Sequence, residues 1–195
     1  MVDRKTVANQ GSLYKKLLFT QSEVEARISE MASEIVRAYD PAETLFVSLL
    51  NGAQPFASKL MYAIQLQDPY FHPNIQSLII SRYGLSREPG KIRVVTDLPP
   101  DNRDLTGRHV VLIDDLIDAG ETLKYARQHL LEYKAKQVDS IVLVKKIKDP
   151  AVDGGVAMFG FEAPDEWITG MGMDDERLGR EANRWAGWIA IANDN

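Results

Sequence analysis

Apolar positions recur along this chain with two different periods, and the switch from one to the other marks its elements. Between Gln21 and Tyr39 they fall at Val24, Ile28, Met31, Ile35 and Val36, the spacing of a helix with one face on a core. Ser22 followed by Glu25 predicts a capping box at its start, and Asp40-Pro41 ends it. Thr44 to Leu50 reads as a strand, followed by a loop at Asn51-Gly52 and a helix from about Pro55 to Ile64. Ile75 to Arg82 is a further strand. Tyr83 to Gly90 carries two glycines and a proline and predicts a mobile loop, with Ile92 to Thr96 as the returning strand. Val110 to Asp114 then reads as a strand, Glu121 to Tyr133 as a helix and Asp139 to Lys145 as a strand. Val156 to Phe161 and Trp167 to Gly170 predict short strands, and Glu176 to Trp185 a helical end.

Strands that alternate with helices predict an α/β fold, a mainly parallel sheet covered on both faces. Ligands of such sheets bind beyond the carboxyl ends of the strands. Asn51, Asp114 and Lys145 stand at three predicted carboxyl ends, so separate segments converge on one rim. The length of 195 residues suits one domain with one well-buried core.

Composition narrows the classes. There is no cysteine, which excludes disulfides and zinc–thiolate sites, and no apolar run approaches the ~20 residues of a bilayer span. Met1-Val-Asp-Arg-Lys lacks the apolar centre of a signal peptide, so a cytoplasmic location is expected. A formal charge of −5 argues against nucleic acid as the main partner, because such binding rests on phosphate neutralisation. A small anionic substrate is compatible with it.

The densest chemistry lies in Val110-Val-Leu-Ile-Asp-Asp-Leu-Ile-Asp-Ala-Gly-Glu-Thr-Leu123. A buried strand runs into two adjacent carboxylates, then a third, then a glycine turn at a helix start. The N–H groups of residues 118–122 and the helix dipole there favour a phosphate. Asp114 and Asp115 are placed to accept hydrogen bonds from sugar hydroxyls, and Asp118 is a candidate proton acceptor. Together these describe a site for a phosphate ester that carries hydroxyls.

That stretch resembles the ribose-phosphate signature of the type I phosphoribosyltransferases. With Leu49-Leu-Asn-Gly-Ala53, Ser81-Arg-Tyr-Gly84, Leu143-Val-Lys145 and Gly160-Phe-Glu-Ala-Pro-Asp165, continuing to Trp167, Gly170 and Asp174, the chain resembles the hypoxanthine branch from about Leu18 to Arg180. The resemblance implies one phosphoribosyltransferase domain over residues 1–195, with a mobile hood loop and a small lobe from about 1–20 and 156–195. It implies transfer of ribose 5-phosphate from phosphoribosyl pyrophosphate to a 6-oxopurine, hypoxanthine and guanine, with Mg²⁺ as cofactor and a homodimer or homotetramer as assembly. The implied roles fall on particular residues. Asp118 acts as general base at N7, and Asp118, Ala119, Gly120, Glu121 and Thr122 form the 5′-phosphate loop. Asp114 and Asp115 neighbour the ribose hydroxyls. Lys145, Trp167 and Ile168 bind the purine. Asn51, Gly52 and Arg180 meet pyrophosphate, Asp174 holds Mg²⁺, and Ser81 and Tyr83 belong to the closing loop. The first loop is expected to carry a non-proline cis peptide at Leu50–Asn51.

A lysine donates three hydrogens and accepts none, so it pairs with a 6-oxo oxygen and meets the 6-amino group of adenine donor to donor. The resemblance therefore implies rejection of adenine. Two positions depart from the family. Asn51 stands where lysine is usual, which removes a positive charge near the leaving group, and Ala119 stands where threonine is commoner, which removes one hydroxyl from the phosphate loop. A xanthine-preferring enzyme and a nucleotide-sensing regulator that binds RNA are the alternative readings; the acidic charge and the lack of a dense Lys/Arg run disfavour the second.

Overall fold

The computed structural model describes residues 13–83, 89–148, 155–175, 177–179 and 181–193, with the side chains of 82, 83 and 89–91 outside that description. Strands β2 (Thr44–Leu50), β3 (Asn74–Tyr83), β5 (His109–Ile117), β6 (Gln137–Lys146) and β7 (Val156–Ala163) run parallel in one sheet. Strand β4 (Pro89–Thr96) joins β3 antiparallel at the edge, giving the order β4-β3-β2-β5-β6-β7. A second, antiparallel sheet of three short strands holds β1 (Lys16–Phe19), β9 (Ile189–Ile191) and β8 (Ile168–Thr169). Val156 to Ala163 therefore belongs to the large sheet, and the C-terminal strands of the small one begin at Ile168.

The strand order dictates where the helices lie. Chain passage from β2 through α2 (Gln54–Gln67) to β3 moves toward one sheet edge, and passage from β5 through α3 (Glu121–Glu132) to β6 moves toward the other. Both crossovers follow the right-handed rule, so the two helices must cover opposite faces. Phe56, Leu60 and Ile64 of α2 accordingly pack in one core layer with Ile28, Met31 and Ile35 of α1 (Gln21–Ala38) and with Val111 and Ile113 of β5. Leu123, Ala126 and Leu130 of α3 pack in the other with Val110 and Leu112. Burial on both faces explains why β2 is apolar at nearly every position rather than alternating.

Most predicted elements form, with bounds that grow by a few residues. The capping box is displaced. It is built by Thr20, whose Oγ1 accepts from Glu23 N at 3.3 Å while Glu23 Oε2 accepts from Thr20 N at 2.8 Å. The same Ser/Thr-x-x-Glu spacing occurs two residues earlier than expected, and Glu25 is left to pair with Lys59 of α2 at 2.9 Å. The predicted helical end at 176–185 is absent among its described residues, which form turns. Gly179, Glu181 and Asn183 have φ values of 128°, 63° and 62°, outside the right-handed helical region. The expected loop 83–90 shortens as β3 and β4 extend toward each other, and 84–88 lie outside the described residues.

Thr20→Ala should lower the unfolding free energy by about 0.5–2 kcal/mol, the ordinary cost of a lost N-cap. Ser22→Ala should stay within about 0.5 kcal/mol of the parent, as exposed sites without a special role do. Urea denaturation midpoints at unchanged m-value check both.

Candidate active site

Strands β2 and β5 are neighbours whose chains leave toward opposite edges, so a crevice opens between their carboxyl ends. The pocket there has a volume of about 410 Å³. Leu49, Leu50, Asn51 and Gly52 line it from β2, and Asp114, Asp115, Leu116 and Asp118 from β5. Thr122 closes it at the start of α3, Lys146 at the end of β6, and Trp167, Ile168, Met173 and Asp174 from the segment around the small sheet. The Leu50–Asn51 peptide is cis, as expected.

A smaller cavity of about 150 Å³ adjoins Asp118, Ala119, Gly120 and Thr122 at the N-terminus of α3. Gly120 is the N-cap with φ 71°, which a residue with a Cβ adopts at a cost, and no side chain caps the helix. The first-turn N–H groups are thus available to an anionic ligand. Glu121 is the acidic residue of that first turn and does not line the cavity.

Asp115 is held by very close packing. A Cβ on Gly52 would lie 2.7 Å from its Oδ1, and a Cβ on Gly172 would lie 2.7 Å from its Cβ and 2.5 Å from the Gly52 carbonyl oxygen. Gly172 has φ 112°, a second reason for glycine there. Burial, and after it the neighbouring Asp115 charge, pushes the Asp114 carboxyl well above the usual range. Burial also raises Asp115, against the lowering influence of the Arg184 charge. The pair therefore binds a proton more readily than exposed carboxylates, and sugar hydroxyls brought to it would supply the hydrogen bonds that water does elsewhere.

Asp118 lies between two lysines. Its Oδ2 is 3.2 Å from Lys146 Nζ and its Oδ1 is 2.5 Å from Lys148 Nζ. Partial burial acts to raise its pKa, but the close Lys148 ammonium and the Lys146 charge outweigh it and hold the carboxyl below the ordinary value. Asp118 is therefore ionised at neutral pH.

Lys145 is displaced from its expected position. Its Nζ sits 5.2 Å from the centroid of the Phe159 ring, among the residues of the α3 face, while Lys146 lines the pocket. The reason lies in the strand. Ile141 and Leu143 alternate onto the α1–α2 face, which continues to Lys145 by strict period two, but Val144 joins that same layer. The alternation breaks there, and each residue beyond it changes sides. The adjacent Lys146 carried this information only as the second member of a lysine pair.

Other expected residues fall as follows. Ser81 pairs with Arg93 across the β3–β4 hairpin and does not line the pocket, whereas its neighbour Ile80 does. The Tyr83 side chain and Arg180 lie outside the described residues. Trp167 is 56% exposed at the mouth, with the Arg177 guanidinium 5.7 Å from its ring centroid. Arg184 was not expected from its surroundings in sequence. It is buried, donates to the Gly172 carbonyl, pairs with Glu181 and holds Asp174 Oδ1 at 3.0 Å. Among the described residues no cluster of three or more His, Cys, Asp or Glu side chains forms a ready-made metal site.

Gly172→Ala should lower the unfolding free energy by about 1–3 kcal/mol, the usual cost of overpacking, since the Cβ meets backbone on one side and Asp115 on the other. Gly107→Ala, with φ 79° but nothing within 4 Å, serves as a strained and unobstructed control. Thermal or chemical unfolding of the two variants separates clash from backbone strain.

Comparison with known proteins agrees with this arrangement. A family model described as the phosphoribosyl transferase domain matches residues 17–176. A hypoxanthine-guanine phosphoribosyltransferase of Aquifex aeolicus is 33% identical over 167 residues, covering 85% of this chain and 89% of its own. One from Bacillus subtilis is 29% identical over 82% of this chain and 85% of its own. Among solved structures, a hypoxanthine phosphoribosyltransferase of Staphylococcus aureus superposes with a TM-score of 0.78 at 22% identity, covering 99% of this chain and 97% of that one. A hypoxanthine-guanine phosphoribosyltransferase of Bacillus anthracis gives a TM-score of 0.74 at 26% identity, covering 92% and 99%. On the family-model match over most of its length and the identity to these relatives, the chain belongs to the phosphoribosyltransferase family.

Proposed function

We propose that this protein transfers the 5-phosphoribosyl group from phosphoribosyl pyrophosphate to N9 of hypoxanthine and of guanine, releasing pyrophosphate and forming the nucleotide. One observation carries the reading. Two adjoining cavities that share Asp114, Leu116, Asp118 and Thr122 set an uncapped helix start beside a pocket lined by Trp167, Lys146 and the Asp114–Asp115 pair. Together these suit a phosphate, sugar hydroxyls and a base.

In the reaction the C1–oxygen bond to pyrophosphate breaks as the C1–N9 bond forms, and the imidazole proton of the base leaves to an acceptor. Asp118, kept ionised by its lysines, takes that proton or fixes it at N7. Lys146 donates to the 6-oxo group, the role first assigned to Lys145. Trp167 stacks on the base and Ile168, 4% exposed, presents its backbone to the ring edge. Asn51 and Gly52 turn their loop toward pyrophosphate at the pocket's opposite wall, with Arg180 as a further cation for the leaving group. Residues 118–122 bind the 5′-phosphate through backbone N–H groups. Ser81 and Tyr83 belong to the hairpin that covers the pocket during turnover and excludes water.

Asp174 suits Mg²⁺, a hard cation that takes one or two carboxylates and completes its shell with substrate oxygens and water. Arg184 orients it by pairing with Oδ1. When bound, Mg²⁺ neutralises charge that develops on pyrophosphate. The reading extends to a cytoplasmic salvage enzyme that works as a homodimer or homotetramer, acting on small molecules rather than on nucleic acid. Among the described residues no helix is long and apolar enough to cross a membrane.

An ultraviolet assay with phosphoribosyl pyrophosphate, Mg²⁺ and each of hypoxanthine, guanine, xanthine and adenine tests the whole reading. Turnover of hypoxanthine without adenine is expected. A dominant xanthine rate would instead give the xanthine-preferring enzyme, and nucleotide binding without turnover of any base the regulator. Asp118→Asn should reduce kcat by about 10²-fold or more while leaving the fold intact. Lys146→Gln should relax discrimination against adenine, by up to ~10⁴-fold where one buried hydrogen bond sets it, and Lys145→Gln should leave the hypoxanthine-to-adenine ratio unchanged.

A further inference from the structure

Lys148 has no part in the reaction as described, yet it makes the shortest ionic contact in the pocket region to the group on which proton transfer rests. Its Nζ lies 2.5 Å from Asp118 Oδ1 and 3.2 Å from Asp165 Oδ1. Lys146 Nζ lies 3.2 Å from Asp118 Oδ2 and 3.5 Å from the same Asp165 oxygen. The four side chains close a ring in which the sign of charge alternates at every step. Three segments contribute to it: the end of β5, the end of β6 with the residues after it, and the β7–β8 connection.

We propose that Lys148 is a positioning residue: anchored by Asp165, it grips one oxygen of Asp118 while Lys146 holds the other, so that Lys146 keeps its remaining hydrogens for the base. The inference rests on the base-binding role given to Asp118 and Lys146 above. Its logic is a division of labour. A lone lysine beside Asp118 has two claims on it, the carboxylate and the 6-oxo oxygen. A second lysine on the other carboxylate oxygen shares the first claim, so the carboxylate draws less on Lys146 and the purine competes less for its donor. Asp165 matters because it lies between both ammonium groups and reduces their mutual repulsion.

Among the described residues, the groups that face Asp118 from packed elements are Lys146, Lys148 and Asp165. Asp114 and Asp115 lie on β5, which ends just before it, and Glu121 begins the helix that follows. Because Asp118 is held below the ordinary carboxylate value, its ionised form persists above that lowered pKa and is lost as pH falls through it. Removing Lys148 moves this boundary upward.

The experiment is a pH titration of the Asp118 carboxyl by ¹³C NMR in the full-length protein, its resonance assigned through Asp118→Asn, together with the pH profile of kcat/KM for hypoxanthine. Lys148→Met should raise the Asp118 pKa by about half a unit or more, the scale of a partly exposed ion pair, and shift the acid limb by the same amount. Lys148→Arg should restore both, and Asp165→Asn should move them part of the way. The adenine discrimination set by Lys146 should weaken in Lys148→Met. An Asp118 titration unchanged in both Lys148→Met and Asp165→Asn overturns the proposal. Should the parent protein turn over no base, the proposed activity fails while the NMR titration still decides whether the ring governs Asp118.

Discussion

Parallel hydrogen bonding between β2 and β5 is the constraint on which the rest of this structure depends. Leu45 faces Val110 and Ser48 faces Ile113, so the two strands run out at neighbouring points and place Asn51-Gly52 beside Asp114-Asp115. A slip of one residue in that pairing would turn every side chain on one strand to the other face. The slip is opposed by both core layers at once, since the strands are buried on two sides. Stability of the sheet centre and geometry of the site are thus the same property viewed at two ends of the strands.

The pocket is electrostatically heterogeneous on an acidic chain. At one end, buried carboxylates hold protons more readily than usual; at the other, a carboxylate between lysines gives them up. These opposite tendencies arise within five residues of one strand and turn, Asp114 to Asp118, through different surroundings and not different chemistry. Burial dominates at Asp114, and direct cation contact dominates at Asp118. Neutral sugar hydroxyls and a base that sheds a proton make matching demands. Local arrangement, not the net charge of −5, determines what each end of the pocket binds.

Fold class, sheet and most elements were legible because their signals are local and repeated: a helical apolar stripe at Val24 to Ile35, a buried strand at Thr44 to Leu50, a glycine turn at Gly120. The glycine turn at the start of α3 and the buried acidic pair were legible for the same reason, being contiguous in sequence. Lys146 was not, because its side of the sheet depends on a break in alternation at Val144 that is produced by packing near the strand end. Arg184 was hidden more deeply. It reaches Asp174 through turns in which Glu181 and Asn183 adopt positive φ without being glycine, and no periodic pattern announces such a path. The helix expected over the same stretch fails for that reason too.

Gly52, Asp115 and Gly172 touch one another with no room for an added carbon, although they come from three distant parts of the chain. Such a contact constrains descent as well as structure. A lineage that acquires a side chain at either glycine must shorten or move its partner at 115, and one that lengthens the acid at 115 needs both glycines to remain. The three positions should consequently vary together or not at all among related chains. Asp115 is then historically tied to a loop on the far side of the pocket, and the evolutionary freedom of the Asn51-Gly52 loop is narrower than its surface position suggests.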